Sequence, residues 1–159
     1  LKQKEAYFTK ALGYYSRGLE KQPNNIFLFL NVARVHTIWA KDIDPTRFTE
    51  AERWWKKAVA HDPTDWDVHN RYALMLNDYA NSNKTDVALR RRTAERLEIV
   101  VAIKDDFLPG WINLVKVYKA SGENEKAIRA LVRARELDPD DDEVKTLTAE
   151  FGVTSSPTG

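Results

Sequence analysis

The sequence predicts an all-α fold in which antiparallel helical hairpins stack side by side into one array. Three observations predict it. Apolar residues recur along most of the chain at the i, i+3, i+4, i+7 spacing of an amphipathic helix. The same order of side-chain sizes returns several times. The 159 residues include only 6 Gly and 6 Pro, too little punctuation for the short strands of a barrel or sandwich. Hydrophobic residues make up 43% and aromatics 11%, enough for a substantial core and too much for a wholly disordered chain.

Taken in order, Ala11, Tyr15, Gly18 and Pro23 read as the second half of a hairpin, a half unit over 1–23. Residues 24–63 form a full unit, with Phe29, Val32, Ala33 and His36 on its first helix and Ala51, Trp55 and Ala58 before Pro63 on its second. Between them Asp44-Pro45 reads as an N-cap followed by a first-turn proline. The unit 64–105 repeats the order with His69, Tyr72, Ala73 and Leu76, then Thr93, Leu97 and Val100, and has Asp105 where a proline would close it. In 106–139, Trp111, Leu114, Val115 and Tyr118 form the first stripe, which Gly122 ends. Ala127, Ile128, Leu131 and Ala134 form the second, stopped by Asp138-Pro139. Val144, Leu147 and Phe151 give a last stripe without a partner, a capping helix over 140–152. One array thus spans 1–153, and the polar tail 154–159 is expected to be disordered.

Spacing refines the reading. Pro23 to Pro63 is 40 residues, Pro63 to Asp105 is 42 and Asp105 to Pro139 is 34. The surplus of 6 and 8 falls between the two helices of each long unit, because Ala33 to Ala51 is 18 and Ala73 to Thr93 is 20, against 12 from Val115 to Ala127. Since Leu89 extends the second-helix stripe upstream, the 8 extra residues are expected to lengthen that helix by about 12 Å.

The pattern W-x2-L then Tyr, followed by Ala, a large apolar residue, Ala and Pro, resembles the tetratricopeptide repeat over about residues 5–152. Val115 departs from it, standing where the family usually has Gly. The resemblance implies a right-handed α-solenoid whose first helices line a concave groove, where peptides bind. On that register Leu30, Asn31, Arg34, Thr37, Asn70, Arg71, Leu74, Asn77, Ile112, Asn113, Lys116 and Lys119 line the groove. Asn31 and Asn113 each stand two residues after a leading aromatic, Phe29 and Trp111. A side-chain amide offers both donor and acceptor, so it can hold an extended peptide backbone without reading its side chains. The arrays of O-linked N-acetylglucosamine transferases are similar in using an asparagine ladder at this slot; here Arg71 interrupts it. The Lys, Asn and Arg clamp of chaperone adaptors with this fold is not matched.

Chemistry finds little support. The 3 His lack a metal-ligand spacing, and His36 and His69 fall in slots that face a neighbouring helix. There is no glycine-rich phosphate loop, no G-x-S-x-G and no Cys, so no catalytic or metal site and no cofactor is expected. With 25 Lys plus Arg against 24 Asp plus Glu, a net charge of +1 gives no global field for nucleic acid or an anionic membrane. The longest uncharged run, Gln22 to Ala33, has 12 residues, too few to span a bilayer. Among the 5 Trp, Trp55 and Trp111 sit in core slots, Trp39 lies where it can pack under the first insert, and Trp54 and Trp66 point elsewhere.

The expected role is a non-catalytic scaffold for a partner protein or peptide. Starting at Leu1, the chain reads as a piece of something longer, so one rival is an accessory domain of a bacterial cell-envelope polysaccharide polymerase or ligase, which similar arrays accompany. A second rival is phosphate or nucleic-acid binding through Arg90, Arg91 and Arg92, with Lys84 and Arg96, although nucleic acid is not the expected partner because interleaved aromatics are missing. The stripe Tyr7, Phe8, Leu12 and Tyr15 suggests self-association through residues 5–16. Compartment stays open.

Overall fold

The computed structural model describes residues 2–82 and 86–152, and these form eight α-helices and one 3-10 turn, with no strand. The helices are α1 (Lys2–Lys21), α2 (Ile26–Asp42), α3 (Phe48–His61), α4 (Trp66–Ser82), α5 (Val87–Ile103), α6 (Leu108–Ala120), α7 (Asn124–Leu137) and α8 (Asp142–Phe151). Leu1, Lys84 and the tail 154–159 lie outside the described residues.

Short polar side chains start α2, α4, α5 and α8 by satisfying N–H groups that have no intrahelical acceptor. Asn25 accepts from the Leu28 amide at 3.3 Å, Asp86 from Leu89 at 2.9 Å and Asp141 from Val144 at 3.0 Å. Asp65 does the same for Asp67 and Val68 at the head of α4. Gly152, at φ 62°, ends α8 in the left-handed conformation that glycine tolerates without a Cβ clash.

Three hairpins result: α2 packs on α3, α4 on α5 and α6 on α7, with α1 against α2 and α8 against α7. Ala33, Ala58, Ala73, Ala127 and Ala134 are fully buried at the crossings, where a methyl side chain lets helices approach closely. Val115 is fully buried too, so the array takes a branched side chain where a glycine was expected. Gly110 marks the tightest approach: a Cβ there would lie 2.9 Å from Phe107 Cδ1 and 3.1 Å from Val101 Cγ1.

The first insert starts as expected, with Asp44 as N-cap and Pro45 in the first turn, whereas the second is not built as one lengthened helix. In the first, Asp44 caps the 3-10 turn Pro45–Arg47 through the Thr46 amide, and α3 starts only at Phe48. In the second, the surplus is shared between both helices: α4 and α5 have 17 residues each, against 13 in α6 and 14 in α7. Asp86 caps α5 at Val87, so the upstream extension takes in Leu89 but stops short of the expected 8 residues.

Trp39 does pack at the first insert, with Arg47 4.1 Å above its ring and Phe8 stacked on it at 5.4 Å. Phe8 is thereby used inside the array, while Tyr7 and Tyr14 of α1 face solvent at 65% and 56% exposure.

Candidate functional site

The inner helices α2, α4 and α6 carry the residues expected to line a groove, and the fold sorts them into three groups. Arg34, Arg71, Leu74, Lys116 and Lys119 are exposed, and Leu74 keeps an apolar side chain 42% in solvent. Leu30, Asn31, Thr37, Asn70, Asn77 and Asn113 are half-buried. Ile112 is a correction: it is 5% exposed and belongs to the core around Leu114 and Leu131. Packed between α5 and α7, helix α6 buries a wider arc than a one-sided stripe.

Hydrogen bonds decide which polar groups are available. Asn31 Nδ2 donates to the Phe27 carbonyl at 2.8 Å within its own helix, leaving Oδ1 as an acceptor. Thr37 is occupied, donating to Ala33 O at 2.8 Å and accepting from Trp55 Nε1 at 3.0 Å. The Oδ1 of Asn70 is buried without a partner among the described residues. Arg71 bonds Asp67 one turn back at 2.7 Å. Asn113 makes no hydrogen bond among the described residues, so its amide offers both a donor and an acceptor.

Ion pairs knit the inner face together across helices. Lys41 on α2 reaches Asp78 on α4 at 2.8 Å. Lys116 pairs with Glu143, and Lys119 with Glu150 at 2.6 Å, so acidic residues of α8 answer both groove lysines. The C-terminal part of the inner face is therefore charge-balanced from within.

The arginine run does not present one basic surface. Arg90 donates to the Ala120 carbonyl at 3.1 Å, and Arg91 faces Glu95 at 3.5 Å. Arg92 turns between helices to bond the Glu52 carboxylate and lies 3.4 Å from the Tyr72 hydroxyl, while Arg96 sits 5.1 Å above the Tyr72 ring. Burial pushes the Tyr72 hydroxyl up to about 12, aided by the Glu52 carboxylate. Glu52 feels burial as well, but the hydrogen bond from Lys56 and the Arg92 charge outweigh it and hold the carboxyl below its ordinary value.

The histidines are dispersed. His69 Nε2 lies 3.0 Å from the Pro63 carbonyl, which ties α4 to the turn before it. His36 is 6% exposed, and burial lowers its pKa. Among the described residues no three His, Asp or Glu side chains gather into a metal-binding group. No helix there is long and apolar enough to cross a membrane.

Residues 108–151, which hold α6, α7 and α8, match the tetratricopeptide repeat family. The described helices have the fold of a tetratricopeptide array. Solved structures agree on the fold across nearly its full length. A crystal structure of MamA superposes with TM-score 0.66 at 19% identity, covering 95% of this chain and 82% of that one. TTC0263, a thermophilic tetratricopeptide protein of Thermus thermophilus, superposes with TM-score 0.64 at 17% identity, covering 96% and 76%. None of the curated proteins compared with the sequence matches it. At these identities the likeness carries the fold alone.

Sequence reasoning missed a sizeable cavity. It measures about 680 Å³ and lies on the outer side, between α5 and α7, floored by Trp111, Leu114 and Tyr118 of α6. No motif marks it, because its walls come from three helices.

Proposed function

We propose that this tetratricopeptide array is a non-catalytic interaction scaffold that holds an extended peptide of a partner protein along its inner face. The units 24–63, 64–105 and 106–139 each contribute one inner helix to that face. The observation that carries the reading is the half-buried Asn113 amide, whose donor and acceptor are both uncommitted, together with the free Oδ1 of Asn31. A peptide backbone needs such paired groups, and amides grip it whatever its side chains. Between the two amides, exposed Leu74 supplies an apolar foothold. With Lys116 and Lys119 already matched by α8, recognition on this face is carried by amides and apolar contact more than by charge.

The test replaces Asn31 and Asn113 together by Ala and measures the affinity of a partner recovered by pull-down. Each lost contact removes about 0.5 to 1.5 kcal/mol, so binding weakens roughly fivefold to a hundredfold with little change in stability. Full affinity in the double variant, with loss of binding on charge reversal of Arg90 and Arg91, would move the partner to the outer side and overturn the reading.

A further inference from the structure

The outer clefts of the two complete neighbouring repeats differ in a way the repeat register explains. Between α3 and α5 the cleft is filled. Arg92 crosses it to Glu52 and the Tyr72 hydroxyl, and Arg96 covers the Tyr72 ring. One repeat later, with Thr93 aligned on Ala127, Lys126 stands in place of Arg92 and Ala130 in place of Arg96. Leu114 replaces Tyr72, and Ala94 replaces Glu52. Two large groups and the bridging carboxylate are gone. Lys126 pairs instead with Glu123 near the start of its own helix at 2.5 Å and lies 5.2 Å over the Tyr118 ring. The cavity of about 680 Å³ between α5 and α7 is what remains.

Its chemistry is specific. The floor is apolar, from Trp111 and Leu114, and Val101, Ala102 and Ala130 form the walls. At its rim Arg133 bridges Asp105 at 3.1 Å and Glu136 at 2.9 Å, while Glu98 on the α5 side accepts from the Tyr118 hydroxyl and keeps its negative charge. Arg129, midway along the rim, has no ion pair among the described residues, so a cation stands over an apolar trough. From Glu98 the trough runs along the last turn and a half of α5, about 8 Å at roughly 1.5 Å per residue, and on past its end to Asp105, room for about two turns of a docked helix.

We propose that this outer cleft docks an acidic amphipathic helix of a partner protein, which seats apolar side chains on Ala102, Trp111 and Ala130 and pairs a carboxylate with Arg129. A helix laid in a groove presents apolar residues at i, i+3 and i+4 to the floor and a polar flank to the rim. Positive charge from Arg129 on the α7 side of the rim selects an acidic flank turned toward α7. This site is separate from the inner face and stands or falls independently of it.

The probes are three fluorescein-labelled helical peptides: one with a Leu face flanked by Glu, its counterpart with Lys for Glu, and one with Ser for Leu. Fluorescence anisotropy reads their affinity for the parent array, for Arg129→Glu, for Ala102→Trp and for the Asn31→Ala/Asn113→Ala double variant. Ala102 is exposed, so the tryptophan fills the trough without entering the core, and circular dichroism confirms the fold. The Leu/Glu peptide binds the parent and the inner-face double variant alike. It loses roughly tenfold or more with Arg129→Glu and with Ala102→Trp, and the other two peptides bind at least tenfold more weakly. Unchanged affinity in both cleft variants overturns the proposal. So does equal binding of the Ser peptide, which would reveal charge attraction alone, or loss of binding in the Asn double variant, which would place the peptide in the inner groove.

Discussion

Replacing Arg92 by Ala separates two neighbouring arginines that look alike in sequence. Arg92 bonds Glu52 on α3 and approaches Tyr72 on α4, so it joins helices of two repeats. A hydrogen bond to a charged group contributes about 1.5 to 3 kcal/mol when desolvated, and an exposed ion pair about 0 to 1. The Glu52 side chain is 13% exposed and that of Arg92 34%, which places the pair between these limits. Lys56 stays 2.6 Å from the same carboxylate, so the variant does not strand a buried charge. Discounted for that exposure, the loss is about 1 to 2 kcal/mol, or a fall in Tm of about 2 to 8 °C for a chain of this size. Arg91, 75% exposed and facing a 58% exposed Glu95, changes stability by less than about 0.5 kcal/mol when replaced by Ala. Urea unfolding of both variants, with Glu52→Gln completing a double-mutant cycle, measures the difference. Equal effects of the two substitutions, or no coupling between positions 52 and 92, would refute the argument that Arg92 bridges the repeats.

Ala127→Leu overpacks a fully buried crossing and costs about 1 to 3 kcal/mol, seen as a lowered urea midpoint; an unchanged midpoint would mean the register of the last hairpin is misassigned. Gly110→Ala places a methyl 2.9 Å from the Phe107 ring and 3.1 Å from Val101, so thermal melting drops by an amount like that of Ala127→Leu, although helix propensity alone favours alanine. His36 is held below its ordinary value of 6.5 by burial, with Arg47 and Arg53 adding to the effect and Glu50 opposing it. The unfolded chain then binds a proton that the folded one refuses, so stability is full above 6.5 and falls as the pH drops toward the lowered folded value. Urea midpoints measured across that range slope in the parent and flatten in His36→Gln.

The sequence by itself determined the helical hairpins and their order, because these depend on signals within one helix and its turns. An apolar stripe of period 3.6 marks the buried face, Asp, Asn and Pro mark where helices start, and the alanines at 33, 58, 73, 127 and 134 mark where helices touch. The array's family likeness was legible for the same reason, since its signature consists of those core slots. Only the tertiary structure decided what each remaining face meets. Ile112 reads as a groove residue until packing on both sides of α6 buries it. Lys116 and Lys119 read as groove-lining residues, and α8 brings Glu143 and Glu150 to pair with them. Arg90, Arg91 and Arg92 read as one patch, yet successive helical residues point about 100° apart, and Arg92 finds its partner 40 positions away. The outer cleft exists because Leu114 and Ala130 come together in space where the preceding repeat brings together Tyr72 and Arg96. A helix face is fixed by local periodicity, but its neighbours are set by how the hairpins stack, and that involves residues 30 to 40 positions apart whose meeting no local pattern encodes.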